Sequence, residues 1–168
     1  ERMVVTKAEA AIQKLNETGN ATKSDLAEQI LILTSDTIGV LPDGKTVLVK
    51  PIDRKHAYSM WQKMSDSVHE VWTAVQATHI QLLPTRSEHD VSTHNPTFRI
   101  IKQQKITERT EVSFIPLTPQ MMSNYWDSGE PADKAGGYGI QGLGAAWVSR
   151  INGSYTNVVG LPLSQTLA

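Results

Sequence analysis

Segments of helical period alternate along this chain with strand-like runs, and two tight-turn signals fall beside those runs, which restricts the fold to an α/β domain whose sheet contains hairpins. Val5, Ala8, Ile12 and Leu15 recur at helical spacing and predict a helix over residues 6–17 that stops at Gly19. Residues 29–33 form an apolar run with the pattern of a strand buried on both faces, ending at Thr34-Ser35-Asp36-Thr37. Pro42-Asp43-Gly44-Lys45 has turn chemistry, so residues 38–41 and 46–49 are expected to pair as a hairpin. Asp53 is expected to cap a helix reaching Met64, with Ala57, Met60, Trp61 and Met64 on its buried face.

Further along, residues 69–77 read as a strand, residues 78–96 as a long polar loop, and residues 98–106 and 110–115 as two strands joined by a polar turn. Thr118-Pro119 opens a helix that Gly129 closes. Asn152-Gly153 is the strongest short-range hairpin signal present, between expected strands at 146–151 and 155–159, and a last helix is expected over 162–168. These elements imply a mixed sheet.

At 168 residues with 39% apolar content, one domain over residues 1–168 is the default. A net charge of -1 offers no broad cationic surface, so a nucleic-acid partner is not expected, and any phosphate ligand must be met by a few placed cations. Without cysteine there is neither a disulfide framework nor a thiolate metal site, in keeping with a reducing, cytoplasmic setting. The longest apolar run, residues 30–33, is far short of a membrane span. His79, His89 and His94 match no common zinc spacing and read as loop histidines.

Two places carry candidate chemistry. Ligands in open α/β sheets bind beyond strand ends, where Thr34 to Thr37 are expected, although position alone favours Asp36 as a turn cap. Residues 130–145 hold five glycines together with an Asp133-Lys134 pair and Gln141. Glycine lets backbone N–H groups approach a ligand closely, but this loop matches neither the NTPase phosphate loop nor the dinucleotide fingerprint.

Asp133-Lys134-Ala135-Gly136 through Tyr138, Ile140-Gln141-Gly142, and Asn157-Val158-Val159-Gly160-Leu161-Pro162 together resemble the C-terminal signature of Maf proteins. Lys7-Ala8-Glu9-Ala10, Ser35-Asp36-Thr37, Lys50-Pro51-Ile52-Asp53 and Thr110-Glu111-Val112 with Phe114 agree in order, so the resemblance covers nearly the whole chain outside residues 78–96. It implies a mixed-sheet α/β fold related to the inosine triphosphate pyrophosphatases, and hydrolysis of a nucleoside triphosphate to the monophosphate and pyrophosphate. The family's opening Ser-x-Arg-Arg segment is not found before Glu1, and its last helix runs on where this sequence stops at Ala168, so the chain reads as clipped at both ends or as one that has lost part of its site.

Splitting a triphosphate between its α and β phosphates needs an aligned water, a proton acceptor and positive charge on the departing pyrophosphate. By resemblance Asp36 is the proton acceptor, and Lys7 and Lys50 contact the phosphates. Thr37 and Gln141 stand where the family's branches differ, and Thr with Gln is the pair of the dTTP/UTP branch; the 7-methyl-GTP branch has Gln and Glu. A Gln amide sets a donor beside an acceptor, which complements a pyrimidine edge. The resemblance also implies a divalent cation, Mg²⁺, with Asp133 as a contributor, and leaves the assembly open between monomer and homodimer. A house-cleaning role on modified pyrimidine nucleotides and a non-catalytic, nucleotide-binding role in cell division are the competing readings.

Overall fold

The computed structural model describes residues 1–18, 29–82 and 98–168. These form α1 (Arg2–Thr18), β1 (Gln29–Val40), β2 (Val47–Leu48), α2 (Arg54–Met64), β3 (Val68–Leu82), β4 (Phe98–Phe114), α3 (Pro119–Asp127), β5 (Val148–Asn152), α4 (Tyr155–Val159) and α5 (Leu163–Leu167). The five strands make one antiparallel sheet in the order β2-β1-β3-β4-β5, and with the five helices they give the expected α/β architecture. The chain divides into two compact units, residues 1–36 with 74–106 and residues 37–73 with 107–168.

In the first unit, α1 starts a full turn earlier than its apolar spacing suggests and buries Val4 and Ala8. The Thr34 hydroxyl donates to the Val4 carbonyl at 2.9 Å, tying the helix to β1. The strand is not covered on both faces as expected. Leu31 is 67% and Leu33 44% exposed, while Ile30 and Ile32 are half-buried, so this is a one-sided strand. Thr34 to Thr37 also lie inside β1 and not beyond its end, because pairing continues through them to Val40. The segment expected as a loop from residue 78 continues as strand to Leu82, with Ile80 fully buried; the rest of that loop, and Gly19, His89 and His94, lie outside the described residues. His79, expected in a loop, lies in β3 and pairs through Nε2 with Gln29 Oε1 at 2.9 Å. Residues 107–109, expected as a turn, continue β4 as strand, so the two expected strands are one of 17 residues.

The second unit holds the main core, where Trp61, Met64, Val112, Phe114, Tyr125 and Trp147 pack together. Trp61 and Trp147 meet edge to face at 5.0 Å, and Tyr125 and Trp147 at 4.6 Å, within the range for favourable aromatic pairs. The first hairpin forms as expected, with Gly39 opposite Leu48 and Val40 opposite Val47. Its turn is fastened by Asp43, whose carboxylate accepts from the backbone of Lys45 and Thr46 and from the Thr46 hydroxyl. Those bonds, led by the Thr46 hydroxyl, hold the Asp43 carboxyl down at about 2.

Both expected caps are present: the Asp53 carboxylate accepts from His56 N at 2.7 Å, and the Thr118 hydroxyl from Met121 N at 3.2 Å. The second hairpin is a correction. β5 pairs with β4, Ile151 opposite Val112, but residues 155–159 turn into α4 instead of a returning strand. Ser154 caps that helix by accepting from Asn157 N at 3.3 Å, and Gly160, at a φ of 117° that side chains disfavour, closes it. The helix expected over 162–168 is α5.

Candidate active site

In the first unit, α1 and β1 bring Lys7 and Asp36 together. The Lys7 ammonium donates to Asp36 Oδ1 at 2.7 Å and to the Ser35 carbonyl at 2.8 Å. Both side chains remain partly open to solvent, 44% and 28%, so the pair is a reachable ion pair and not a core bridge. Two of the three ammonium protons are used this way.

In the second unit, a cavity of about 300 Å³ opens between the first hairpin, β3, the glycine-rich loop and α4. Its wall includes Thr37, Val71, Lys134, Tyr138, Gln141 and Val158. Thr37 and Gln141, distant in sequence, thus share one cavity. Gln141 is exposed and carries no backbone duty that would occupy its amide. Lys50 is exposed beside the same loop, since the neighbouring Val49 carbonyl accepts from Gly136 N at 2.9 Å.

The loop is built as three short 3-10 turns, Glu130–Asp133, Ala135–Gly137 and Leu143–Trp147. Two anchors shape it. Trp61 Nε1 donates to the Gly136 carbonyl at 3.0 Å, so the core fixes the loop's first half. Glu130 organises the second half: its carboxylate accepts from the Tyr125 hydroxyl at 2.7 Å and from Leu143 N at 2.8 Å and Gly144 N at 3.3 Å. Burial opposes charge on Glu130, but the Tyr125 hydroxyl and the two N–H donors outweigh it and hold the carboxyl below its usual value. The same burial and carboxylate contact push the Tyr125 hydroxyl up, so it stays a proton donor. A side chain at Gly142 would push the Glu130 carboxylate away from these donors.

Glu130 and Tyr125 carry no sequence signal of this role beyond a carboxylate set among glycines, whose bare N–H groups need an acceptor. Lys134, noted with Asp133 in the sequence, lines the cavity. Its ammonium donates to Asp133 Oδ1 at 2.8 Å, and that bond holds the Asp133 carboxyl below its usual value. Among the described residues no group of three or more His, Asp or Glu side chains could hold a metal ion, and Asp133 is a single carboxylate already paired with a cation. The described residues therefore do not assemble a protein-borne metal site.

Under the cavity floor lies a buried polar network. Thr37 Oγ1 is 2.9 Å from Thr73 Oγ1, which donates to the Asn157 main-chain carbonyl at 2.9 Å. The Asn157 amide donates to the Val71 carbonyl at 3.0 Å and to Thr110 Oγ1 at 2.9 Å. Beside it His69 Nε2 meets the Tyr138 hydroxyl at 2.7 Å, and burial lowers the His69 pKa to about 4, so the ring is neutral at pH 7.

An α/β domain whose glycine-rich loop walls a largely apolar cavity, with Thr37, Lys134 and Gln141 in its lining, has the form of a small-molecule-binding protein. The chain belongs to the Maf family: the family of Maf-like proteins matches residues 1–168. It is 68% identical over 173 residues to a dTTP/UTP pyrophosphatase of Psychrobacter arcticus, covering 99% of this chain and 74% of that one. A dTTP/UTP pyrophosphatase of Vibrio vulnificus is 39% identical over 161 residues, 96% of this chain and 75% of the other. A human protein named probable bifunctional dTTP/UTP pyrophosphatase/methyltransferase is 36% identical over 157 residues, 93% of this chain and 23% of its own length. No helix among the described residues is long and apolar enough to cross a membrane.

Proposed function

We propose that this protein hydrolyses dTTP and UTP to the monophosphate and pyrophosphate. The observation that carries the reading is that Thr37 and Gln141, the pair of the dTTP/UTP branch, line one cavity of about 300 Å³. The names of the relatives agree with it.

In this reading the base enters the cavity, and the Gln141 amide N–H donates to a carbonyl at the pyrimidine edge. Lys50, exposed beside the loop, meets the phosphates as a compact charge. Asp36 takes the proton of the attacking water. Support for that role is its pairing with Lys7, which holds one carboxylate oxygen and leaves the other open as an acceptor. The third Lys7 proton is left for a phosphate oxygen. Positioning and electrostatics of this kind supply most of the acceleration available to phosphoryl chemistry.

Mg²⁺ belongs to the same reading as a cation carried by the triphosphate, screening its charge. Asp133, occupied by Lys134, supplies at most one ligand to it. The setting we propose is the cytoplasm, in keeping with the absence of cysteine. Pyrophosphate release from a panel of nucleoside triphosphates tests the proposal with the full-length protein. We expect dTTP and UTP to lead the panel; a lead by 7-methyl-GTP, or nucleotide binding without turnover, would sink it.

A further inference from the structure

We propose that Thr73 and the Asn157 main-chain carbonyl hold the Thr37 hydroxyl as an obligate hydrogen-bond acceptor, so that Thr37 reads the single ring N–H of a uracil or thymine base. The inference rests on the functional reading above and adds to it the direction of one proton and the residues that set it. A carbonyl has no proton to give, so the 2.9 Å contact between Thr73 Oγ1 and the Asn157 carbonyl consumes the one hydroxyl proton of Thr73. Thr73 is fully buried, and no water can exchange into that bond. The second 2.9 Å contact, between the hydroxyl oxygens of Thr73 and Thr37, still needs a proton, and Thr37 is the remaining source. Thr37, which lines the cavity, is left with lone pairs alone.

The carbonyl at the end of this chain cannot swing away. The buried Asn157 side chain is tied to the Val71 carbonyl and Thr110 Oγ1, and the same carbonyl accepts from Gly160 N at 3.0 Å to close α4. The proton order is therefore fixed by β3 and α4, whatever enters the cavity. A uracil or thymine joined to its sugar through N1 has one ring N–H, at N3, and an acceptor facing that edge pairs with it. Cytosine presents a bare N3 at the same place, and two lone pairs then face each other with no proton between them. Thr73 is thus a positioning residue that acts through Thr37.

The test uses the full-length protein and compares kcat/KM on UTP, CTP and N3-methyl-UTP. Wild type is expected to prefer UTP over both. Thr73→Val frees the Thr37 proton, and we expect it to cut the UTP-to-CTP preference by roughly tenfold, the effect of about 1.4 kcal/mol, carried by KM more than by kcat. Thr73→Ser, which keeps the hydroxyl, is expected to restore the preference. Adding Thr73→Val to Thr37→Val should change selectivity no further. Should Thr73→Val fail to fold, N3-methyl-UTP decides with wild type and Thr37→Val: rejection by the first and tolerance by the second support the assignment. A folded Thr73→Val with an unchanged UTP-to-CTP ratio, or wild type using N3-methyl-UTP as well as UTP, overturns it while leaving the pyrophosphatase reading intact. No turnover of UTP or dTTP by wild type removes both.

Discussion

Asp36 and Gln141 are the two side chains whose chemistry the proposed reaction leans on most, and each can be changed with little effect on packing, since neither is buried. Asp36→Asn keeps an oxygen for Lys7 but cannot take a proton. We expect turnover to fall by ~10²–10⁴ with nucleotide binding largely kept, read by pyrophosphate release beside equilibrium binding. Near-normal turnover would take Asp36 out of the proton-acceptor role. Gln141→Glu replaces a donor-and-acceptor amide by two acceptors, which repel the carbonyl oxygens of a pyrimidine. Because Gln141 is exposed and solvent tempers the repulsion, we expect a loss of about tenfold in kcat/KM on dTTP and UTP, with the melting temperature unchanged. An unaltered pyrimidine preference would show that the base is read elsewhere. At this scale the sequence marked Asp36, Thr37, Lys50 and Gln141 by motif. It could not mark Thr73 and Asn157 as the groups beneath Thr37, because they meet only across the fold, nor Glu130 and Tyr125 as the pair that shapes the loop carrying Gln141.

Helices α2 and α3 were legible because their start signals are local: a capping side chain three residues from the N–H it accepts needs no tertiary partner. Strand lengths were not. Residues 34–37 and 107–109 are polar and look like turns, yet both stretches stay in the sheet because neighbouring strands pair with their backbone. The most instructive error is α4. Asn152-Gly153 marks a reversal correctly, but the segment that follows buries Asn157 among Val71, Thr110 and Thr73, and a helix turn is what delivers that amide there. Asn157→Ala should therefore destabilise the protein by roughly 2–4 kcal/mol, well beyond the ~1 kcal/mol expected for losing the Ser154 cap in Ser154→Ala. Urea denaturation of the two variants compares them. Equal, small losses would mean that packing and not the amide network seats α4.

Across the whole molecule, pH dependence reports on the buried His69. Its pKa falls from the usual 6.5 to about 4 because burial disfavours the charged ring. The unfolded chain therefore takes up a proton before the folded one does. The contribution of neutral His69 is fully present above pH 6.5 and is lost as pH falls toward 4, by up to about 3 kcal/mol. Glu130, Asp133 and Asp43, held below their usual values, act in the same direction, but their contributions begin to fall only as the pH enters the ordinary carboxylate range, below the interval from 6.5 to 5. We expect the melting temperature to drop across that interval and His69→Gln, which keeps a partner for the Tyr138 hydroxyl, to flatten the slope. A flat profile in wild type would place a charged or exposed ring at position 69.

Taken alone, the sequence determined the α/β class, the two helix caps, the first hairpin and the residues that carry the family's motifs, all of which depend on local spacing or on side-chain types in order along the chain. Only the tertiary structure decided how far β1 and β4 run, that residues 155–159 form a helix, that Lys7 pairs with Asp36, and that the Thr37 hydroxyl meets Thr73. Each of those outcomes is set by a hydrogen-bond partner distant in the chain. A backbone or hydroxyl group must be satisfied by whatever the fold brings beside it, and no local pattern encodes that neighbour.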